Sequence, residues 1–114
     1  MNNETLIDIT LEALNDAKAL DINVFDVRNL TSISDYMIIA SGRLTRKVSA
    51  IADRVVEAAK KHDVKPLGIE GKSQGEWVLV DLGDVIVHLM HPESREYYQL
   101  EKLWKPDAEQ ARTV

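Results

Sequence analysis

The residues whose types could support chemistry lie close together, between positions 81 and 91. Asp81 and Asp84 flank a glycine-containing turn, and a pair of carboxylates at such a place could hold a divalent cation. His88 and His91 are three residues apart on a predicted strand, so they point to opposite faces and are poorly spaced for one metal ion. Asp81, Asp84 and His88 motivate one hypothesis, an enzyme of the nucleotidyltransferase or metal-hydrolase type.

The sequence contains no motif that would strengthen the enzyme hypothesis. It has neither a glycine-rich dinucleotide loop nor a Walker loop, and no Gly-x-Ser-x-Gly nucleophile motif. Ser41-Gly42 follows a predicted buried strand and could cradle a phosphate, but a plain turn is the simpler interpretation. Cysteine is absent, which excludes disulfides and thiolate metal sites. We therefore predict that the protein is not an enzyme and holds no cofactor or metal.

The elements that must position these residues follow from hydrophobic periodicity, which predicts an α/β fold with a mixed sheet of about five strands flanked by helices. We expect one domain over residues 1–105 and a flexible tail over 106–114. The predicted helices cover residues 4–20, a segment capped by Thr45 that carries an apolar stripe from Val48 to Ala59, and residues 94–104 with Ser94 as cap. The predicted strands cover residues 21–27, 36–40, 67–70, 76–82 and 85–90.

The last two strands form a predicted hairpin around Gly83-Asp84, and a two-residue loop fixes the register of the pair. One side of the hairpin is then wholly aliphatic and must face the core: Val78, Val80, Leu82, Val85, Val87 and Leu89. The other side is mixed: Trp77, Leu79, Asp81, Ile86, His88 and Met90. Asp81 and His88 are diagonal across the pair, within reach of a hydrogen bond.

Three interpretations of the mixed side stay open at this point. A helix could cover it and leave Asp81 and His88 as a buried pair, part of it could stay open for a protein partner with Trp77 as anchor, or it could be a chemical site. Tyr97 and Tyr98 are about 100° apart on one helix, so at least one should be exposed. Exposed tyrosines and tryptophans are frequent at binding hot spots.

Charge and hydropathy restrict the partners. The formal net charge is −5, which argues against general nucleic-acid binding. Residues 43–65, however, carry seven Lys/Arg against three Asp/Glu, which predicts either a solvated helix face or a weak basic surface near RNA. No apolar run is long enough to span a bilayer, and the N-terminus does not look like a secretory signal. We expect a cytoplasmic protein without a membrane partner.

Three segments of the chain together resemble one family. They are Ser34-Asp35-Tyr36-Met37-Ile38-Ile39-Ala40-Ser41-Gly42, then Glu70-Gly71 with residues 77–88, and Arg95-Glu96-Tyr97-Tyr98-Gln99-Leu100-Glu101-Lys102-Leu103-Trp104. In their order and spacing they are similar to the signatures of the ribosomal silencing factor (RsfS) family, which is also called Iojap-related. The resemblance covers residues 5 to 105, nearly the whole predicted domain.

The resemblance implies a topology related to nucleotidyltransferases but without their catalytic carboxylates. It also implies docking on large-subunit ribosomal protein fourteen and steric blocking of subunit joining, which lowers initiation when nutrients are scarce. Family members tend to be homodimers when free. The residues themselves indicate which side chains make the contact. These are Trp77, Asp81 and His88 from the mixed side of the hairpin, Arg95, Tyr97, Tyr98 and Trp104 from the last helix, and Glu70 and Lys72 at the rim.

Overall fold

A computed structural model describes residues 2–104 and the backbone of residues 111–113. Helices and strands alternate along most of the chain, because segments with helical periodicity separate short runs rich in β-branched residues. The elements in chain order are α1 (Asn3–Asp16), β1 (Leu20–Asp26), β2 (Tyr36–Ser41), α2 (Thr45–Lys61), β3 (Gly68–Glu70), β4 (Trp77–Asp81), β5 (Val85–Met90), α3 (Pro92–Tyr98), a 3₁₀ helix (Leu100–Leu103) and β6 (Ala111–Thr113).

The six strands of the described residues form one sheet in the order β3-β4-β5-β2-β1-β6. β2 and β5 are parallel, and every other pair of neighbours is antiparallel. β2 is central, and five of its six residues are buried, as expected for a strand covered on both faces. The predicted α/β fold with a mixed sheet is confirmed, and the five predicted strands are joined by β6.

The β4–β5 hairpin has the predicted register, with Trp77 opposite Met90 and Asp81 opposite Ile86. Gly83 adopts a φ of +92° at the first loop position, a conformation that suits glycine in a two-residue turn. The aliphatic side of the hairpin is buried in the main core. Helices α1 and α2 supply the opposing side chains of that core, among them Leu14, Ile51 and Val55.

Two predicted helix ends were wrong. α1 ends at Asp16 rather than at residue 20, because Lys18 takes a left-handed φ of +60° and the chain turns into β1. Thr45 is the first residue of α2 and not its N-cap, so the helix begins one residue earlier than predicted. Its N-cap is Leu44, which has no side-chain acceptor for the first amides of the helix.

The last helix is divided, contrary to the prediction of one helix over 94–104. α3 begins at Pro92, and the side chain of His91 caps it by accepting a hydrogen bond from the Glu93 amide at 3.3 Å, so Ser94 is not the cap. Gln99 has a left-handed φ of +50°, which ends α3 and starts the 3₁₀ helix. The change of direction lets Leu100 and Trp104 pack against the sheet.

Part of the predicted tail is described by the structure. Residues 111–113 form β6, which pairs antiparallel with β1 at the edge of the sheet. The sequence does not predict this strand, since three residues carry too little periodicity to show one. Residues 105–110 and 114 lie outside the described part of the chain, so the domain boundary at residue 105 stays a prediction. Within the described residues, no helix combines the length and the apolar character needed to cross a membrane.

Candidate protein-docking surface

The mixed side of the hairpin faces a second, smaller core. Its buried members come from three neighbouring strands and the residue after β1: Phe25, Val27, Met37, Ile39, Ile86 and Met90. Leu100, in the 3₁₀ helix, and Trp104, which follows it, pack over this second core together with Trp77 and Leu79. All four side chains are only partly buried. The face is therefore covered in part and open in part.

Four rings form a continuous group at the open part, which we call the aromatic cluster: Trp77, His88, Tyr97 and Tyr98. The ring centroids of Trp77 and Tyr98 are 5.0 Å apart, and those of Tyr97 and Tyr98 are also 5.0 Å apart with an edge-to-face angle of 88°. Both separations are within the range of favourable aromatic contacts. Tyr97 is 80% exposed and Tyr98 is 55% exposed, so the outer half of the cluster offers its rings to solvent.

Asp81 and His88, which the hairpin register places within reach of a hydrogen bond, do not form one. The indole Nε1–H of Trp77 donates to Nδ1 of His88 at 3.0 Å, while Asp81 Oδ1 accepts from the backbone N–H of Gly83 at 2.8 Å. Trp77 and Asp81 are both diagonal to His88 in the observed register. The twist of the sheet decides which diagonal is closer, and register alone does not contain that information.

The imidazole of His88 is held in its neutral form. Only 8% of the residue is exposed, and burial lowers the pKa of His88 to about 4 because the charged ring would lose its hydration. At neutral pH the ring therefore has an unprotonated Nδ1 that accepts the indole hydrogen, and its proton is on Nε2. His88 thus fixes the inner ring of the aromatic cluster and is not itself a solvent-facing group.

Arg95 lies in the last turn of α3, and its side chain is only 11% exposed. Its guanidinium donates to the carbonyl oxygen of Asp21 at 2.7 Å, to Ser41 Oγ at 3.0 Å and to both carboxylate oxygens of Glu101 at 3.2 and 3.3 Å. These contacts join α3 and the 3₁₀ helix to the ends of β1 and β2. The predicted role of Arg95 in partner binding stays a prediction, and its observed contacts are intramolecular.

The remaining predicted contact residues lie around the cluster at different distances. Trp104 packs on the second core, and Glu70 is exposed on the edge strand β3. Lys72 is half-exposed and forms an ion pair with Asp53 of α2. Asp81 is four residues from Trp77 along β4, about 13 Å at the rise of a strand, so the structure does not bring it into the aromatic cluster.

The loop before β4 is held tightly against the start of that strand. Gly71 has a φ of +82°, and a Cβ there would overlap the carbonyl oxygen of Trp77. The Ser49 hydroxyl of α2 donates to the carbonyl oxygen of Lys72 at 2.7 Å. The loop backbone that leads into Trp77 is therefore held by two contacts, one with β4 and one with α2.

A groove of about 630 Å³ runs beside the exposed tyrosines, and its lining includes residues that sequence reasoning missed. They are Thr45, Glu76, His91, Glu93 and Ser94, which line the groove together with Tyr97 and Tyr98. The carbonyl oxygen of Glu76 accepts from the His91 amide at 2.9 Å, which closes the groove floor. Thr45 belongs to α2, so no local pattern could have placed it beside α3.

The residues proposed for chemistry do not converge. Asp84 is exposed in the hairpin loop, whereas His88 is buried opposite Leu79, at the middle of the strand pair. Across the part of the chain that the structure describes, no group of three or more His, Asp or Glu side chains is close enough to hold a metal ion. The side chains that the structure does bring together are the rings of the aromatic cluster.

The fold and this surface define a class: a small mixed α/β domain with solvent-exposed aromatic side chains at one end of its sheet. Comparison with known proteins gives the class a family. The family profile described as "Ribosomal silencing factor during starvation" matches residues 1–114. A ribosomal silencing factor from Haemophilus influenzae is 48% identical over 99 residues, which is 87% of this chain and 97% of that protein.

Two further relatives agree with that result. A crystal structure of a Chromobacterium violaceum protein superposes with a TM-score of 0.90 at 44% identity, covering 91% of this chain and 87% of that one. The mouse protein named "Mitochondrial assembly of ribosomal large subunit protein 1" is 39% identical over 86% of this chain and 44% of its own length. The chain belongs to the ribosomal silencing factor family. This membership supports a role in ribosome silencing and is consistent with a protein that is not an enzyme.

Proposed function

We propose that the protein binds the large ribosomal subunit through the aromatic cluster and sterically blocks joining of the small subunit. The partner on the subunit is large-subunit ribosomal protein fourteen, and the outcome is lower translation initiation when nutrients are scarce. The observation that carries the proposal is the exposure of Tyr97 and Tyr98 on a rigid base. Membership of the ribosomal silencing factor family supports it, as does the name of the mouse relative, which refers to the ribosomal large subunit.

Aromatic rings left in water cost free energy, which burial against a partner recovers. Tyr97 and Tyr98 contact each other edge to face, and Tyr98 also contacts Trp77, so the rings are already ordered before a partner arrives. A partner that covers them gains apolar burial without first immobilising flexible side chains. Tyrosine also keeps a hydroxyl for a hydrogen bond, which suits a protein surface of mixed polarity.

A contact-only mechanism fits the geometry better than catalysis. A domain of 114 residues that docks on the subunit face can occupy the space of an intersubunit bridge without any chemical step. The proposal further places the protein in the cytoplasm, as a homodimer when free and with residues 43–65 near ribosomal RNA when bound. Dimer dissociation before docking would then make binding dependent on protein concentration.

The test is co-sedimentation of purified protein with separated ribosomal subunits. Tyr98→Ala removes the ring that joins the exposed and buried halves of the cluster. We expect it to weaken binding to large subunits by about 2–4 kcal/mol, or roughly 30- to 1000-fold, the range of a true hot spot. Its circular dichroism spectrum should stay native, because Tyr98 is more than half exposed.

Ile33→Ala is the matched control. Ile33 is 73% exposed, but it lies in the loop next to the hairpin turn, at the other end of β5 from the aromatic cluster. Its removal should leave the affinity unchanged. A parallel assay follows formation of whole ribosomes by light scattering, and wild-type protein should suppress it in proportion to large-subunit occupancy. Native-like Tyr98→Ala protein that sediments with wild-type affinity would exclude this surface.

A further inference from the structure

The structure divides the basic segment 43–65 into two parts of different character. Towards the C-terminal end of α2, Arg54 and Lys61 line a groove that also contains Glu12 and Asp16 of α1 and Glu57 of α2 itself. Positive charge there faces acidic side chains. The N-terminal end has no such neighbours, since no Asp or Glu occurs between positions 36 and 52.

Lys18, from a distant part of the sequence, adds a fourth positive charge to those of Arg43, Arg46 and Lys47 at the N-terminal end of α2. Lys18, in the left-handed turn between α1 and β1, lines one pit with Arg43, Arg46 and Lys47. The pit has a volume of about 480 Å³, and Leu20, Leu44 and Ala50 complete its lining. We call Lys18, Arg43, Arg46 and Lys47 the basic cluster. Within the described residues none of the four has an ion pair or a side-chain hydrogen bond.

The basic cluster adjoins the aromatic cluster. Thr45 lines the groove beside Tyr97 and Tyr98, while Leu44 and Arg46, on either side of Thr45 in the chain, line the basic pit. A macromolecule that covers the tyrosines therefore extends over the basic cluster if it is larger than a small peptide. A ribosomal subunit consists of RNA as well as protein, and the RNA backbone carries one negative charge per phosphate.

We propose that Lys18, Arg43, Arg46 and Lys47 bind ribosomal RNA phosphates when the aromatic cluster docks on the large subunit. This inference rests on the proposed function and adds a second class of contact to it. Four unpaired cations in one place on a protein of net charge −5 complement a phosphate backbone. The N-terminal end of α2 has no acidic residue in its first turn, so the helix dipole adds to the same positive potential.

An acidic protein segment is the competing occupant, because Leu44 is 52% exposed at the pit. The composition of the lining favours RNA. Four of the seven lining residues are Lys or Arg, whose methylene stems supply apolar wall without implying an apolar ligand.

The experiment measures the affinity for large subunits as a function of salt. The test variant combines Arg43→Ala, Arg46→Ala and Lys47→Ala. The matched control combines Arg54→Ala, Lys60→Ala and Lys61→Ala, which removes the same charge from the C-terminal part of α2, whereas Arg46 and Lys47 lie in its first turn and Arg43 just precedes it. Each phosphate contact contributes about 0.7–0.9 to the slope of log affinity against log salt, so the test variant should lose roughly two to three units of slope.

In direct terms, raising salt from 50 to 200 mM should weaken wild-type binding about 15- to 60-fold more than it weakens the test variant. The control variant should keep the wild-type slope to within about one unit. Equal slopes for the two triple variants would overturn the proposal, because a general charge effect would then explain both. Leu44→Ser should change affinity less than two-fold. A large loss with Leu44→Ser at unchanged slope would instead identify a protein occupant.

A second probe separates this proposal from the proposed function. A 30-nucleotide RNA hairpin at low salt tests the basic cluster without any docking on the subunit. Loss of hairpin binding in the test variant but not in the control supports the cluster, even if wild-type protein fails to sediment with subunits. Hairpin binding that survives in the test variant contradicts it. Tyr98→Ala should leave hairpin binding intact while it reduces sedimentation.

Discussion

The two faces of the sheet are built differently. Among the residues that the structure describes, twenty buried side chains form the core between the sheet and helices α1 and α2, and six form the core on the opposite face. The face with the larger core is sealed by two helices of 14 and 17 residues, whereas the opposite face is covered only in part, by a helix of seven residues and one 3₁₀ turn.

The difference shows how one small domain divides stability from recognition. Apolar burial on the sealed face supplies most of the favourable free energy of folding, since that energy scales with area removed from water. The short cover of the other face leaves Tyr97 and Tyr98 in solvent and Trp77 only partly buried. The same incomplete burial that adds little to stability leaves ring area for a partner.

The largest expected effect tests the sealed face against the other one. Leu89 and Met90 are adjacent on β5, fully buried and on opposite faces of the sheet. We expect Leu89→Ala to lower the free energy of unfolding by about 3–5 kcal/mol and Met90→Ala by about 2–3 kcal/mol, because a loosely covered site collapses more easily around a cavity. Urea denaturation measures both.

Leu103→Ala serves as the control for that pair, because the side chain is 63% exposed and its loss should stay within about 0.5 kcal/mol. A larger loss for Met90→Ala than for Leu89→Ala would contradict the contrast between the two faces.

A smaller effect tests what holds α3 and the 3₁₀ helix against the sheet. Arg95→Met keeps the length of the stem but removes the donors to Asp21, Ser41 and Glu101. We expect the local free energy of opening of residues 92–104 to fall by about 2–3 kcal/mol, since hydrogen bonds to a charged group are lost. Hydrogen exchange of these amides measures the change. Lys102→Met removes an exposed cation from a cleft that Arg95 also lines, and it should leave exchange unaltered. Equal exchange rates in the two variants would rule out an anchoring role for Arg95.

The smallest expected effect is a change of stability with pH, and it arises from His88 on the partly covered face of the sheet. The pKa of His88 is lowered from about 6.5 to about 4 by burial, so the unfolded chain binds the proton more tightly than the folded one. The contribution to stability is complete above pH 6.5 and is lost as pH falls from 6.5 towards 4. By pH 5 this loss should reach up to about 2 kcal/mol. His88→Gln should lack this component in urea titrations, and identical pH profiles would contradict a buried neutral imidazole.

Much of the architecture was predictable because its causes are local. The stripe from Val48 to Ala59 required a helix, and the two-residue loop at Gly83-Asp84 required the observed hairpin register. The exposure of a tyrosine followed from the angular spacing of neighbours on a helix. The division of the last helix at Gln99 was not predictable, because no glycine marks a left-handed residue there.

The sequence by itself determined the elements, the aliphatic side of the hairpin and the presence of surplus tyrosines, because periodicity and turn chemistry act within a few residues. Only the tertiary structure decided that His88 accepts from Trp77 rather than from Asp81, and that Arg95 is turned inward. It also brought Lys18 to Arg43, Arg46 and Lys47. The geometry of each of these arrangements depends on sheet twist and helix packing, which no local pattern encodes.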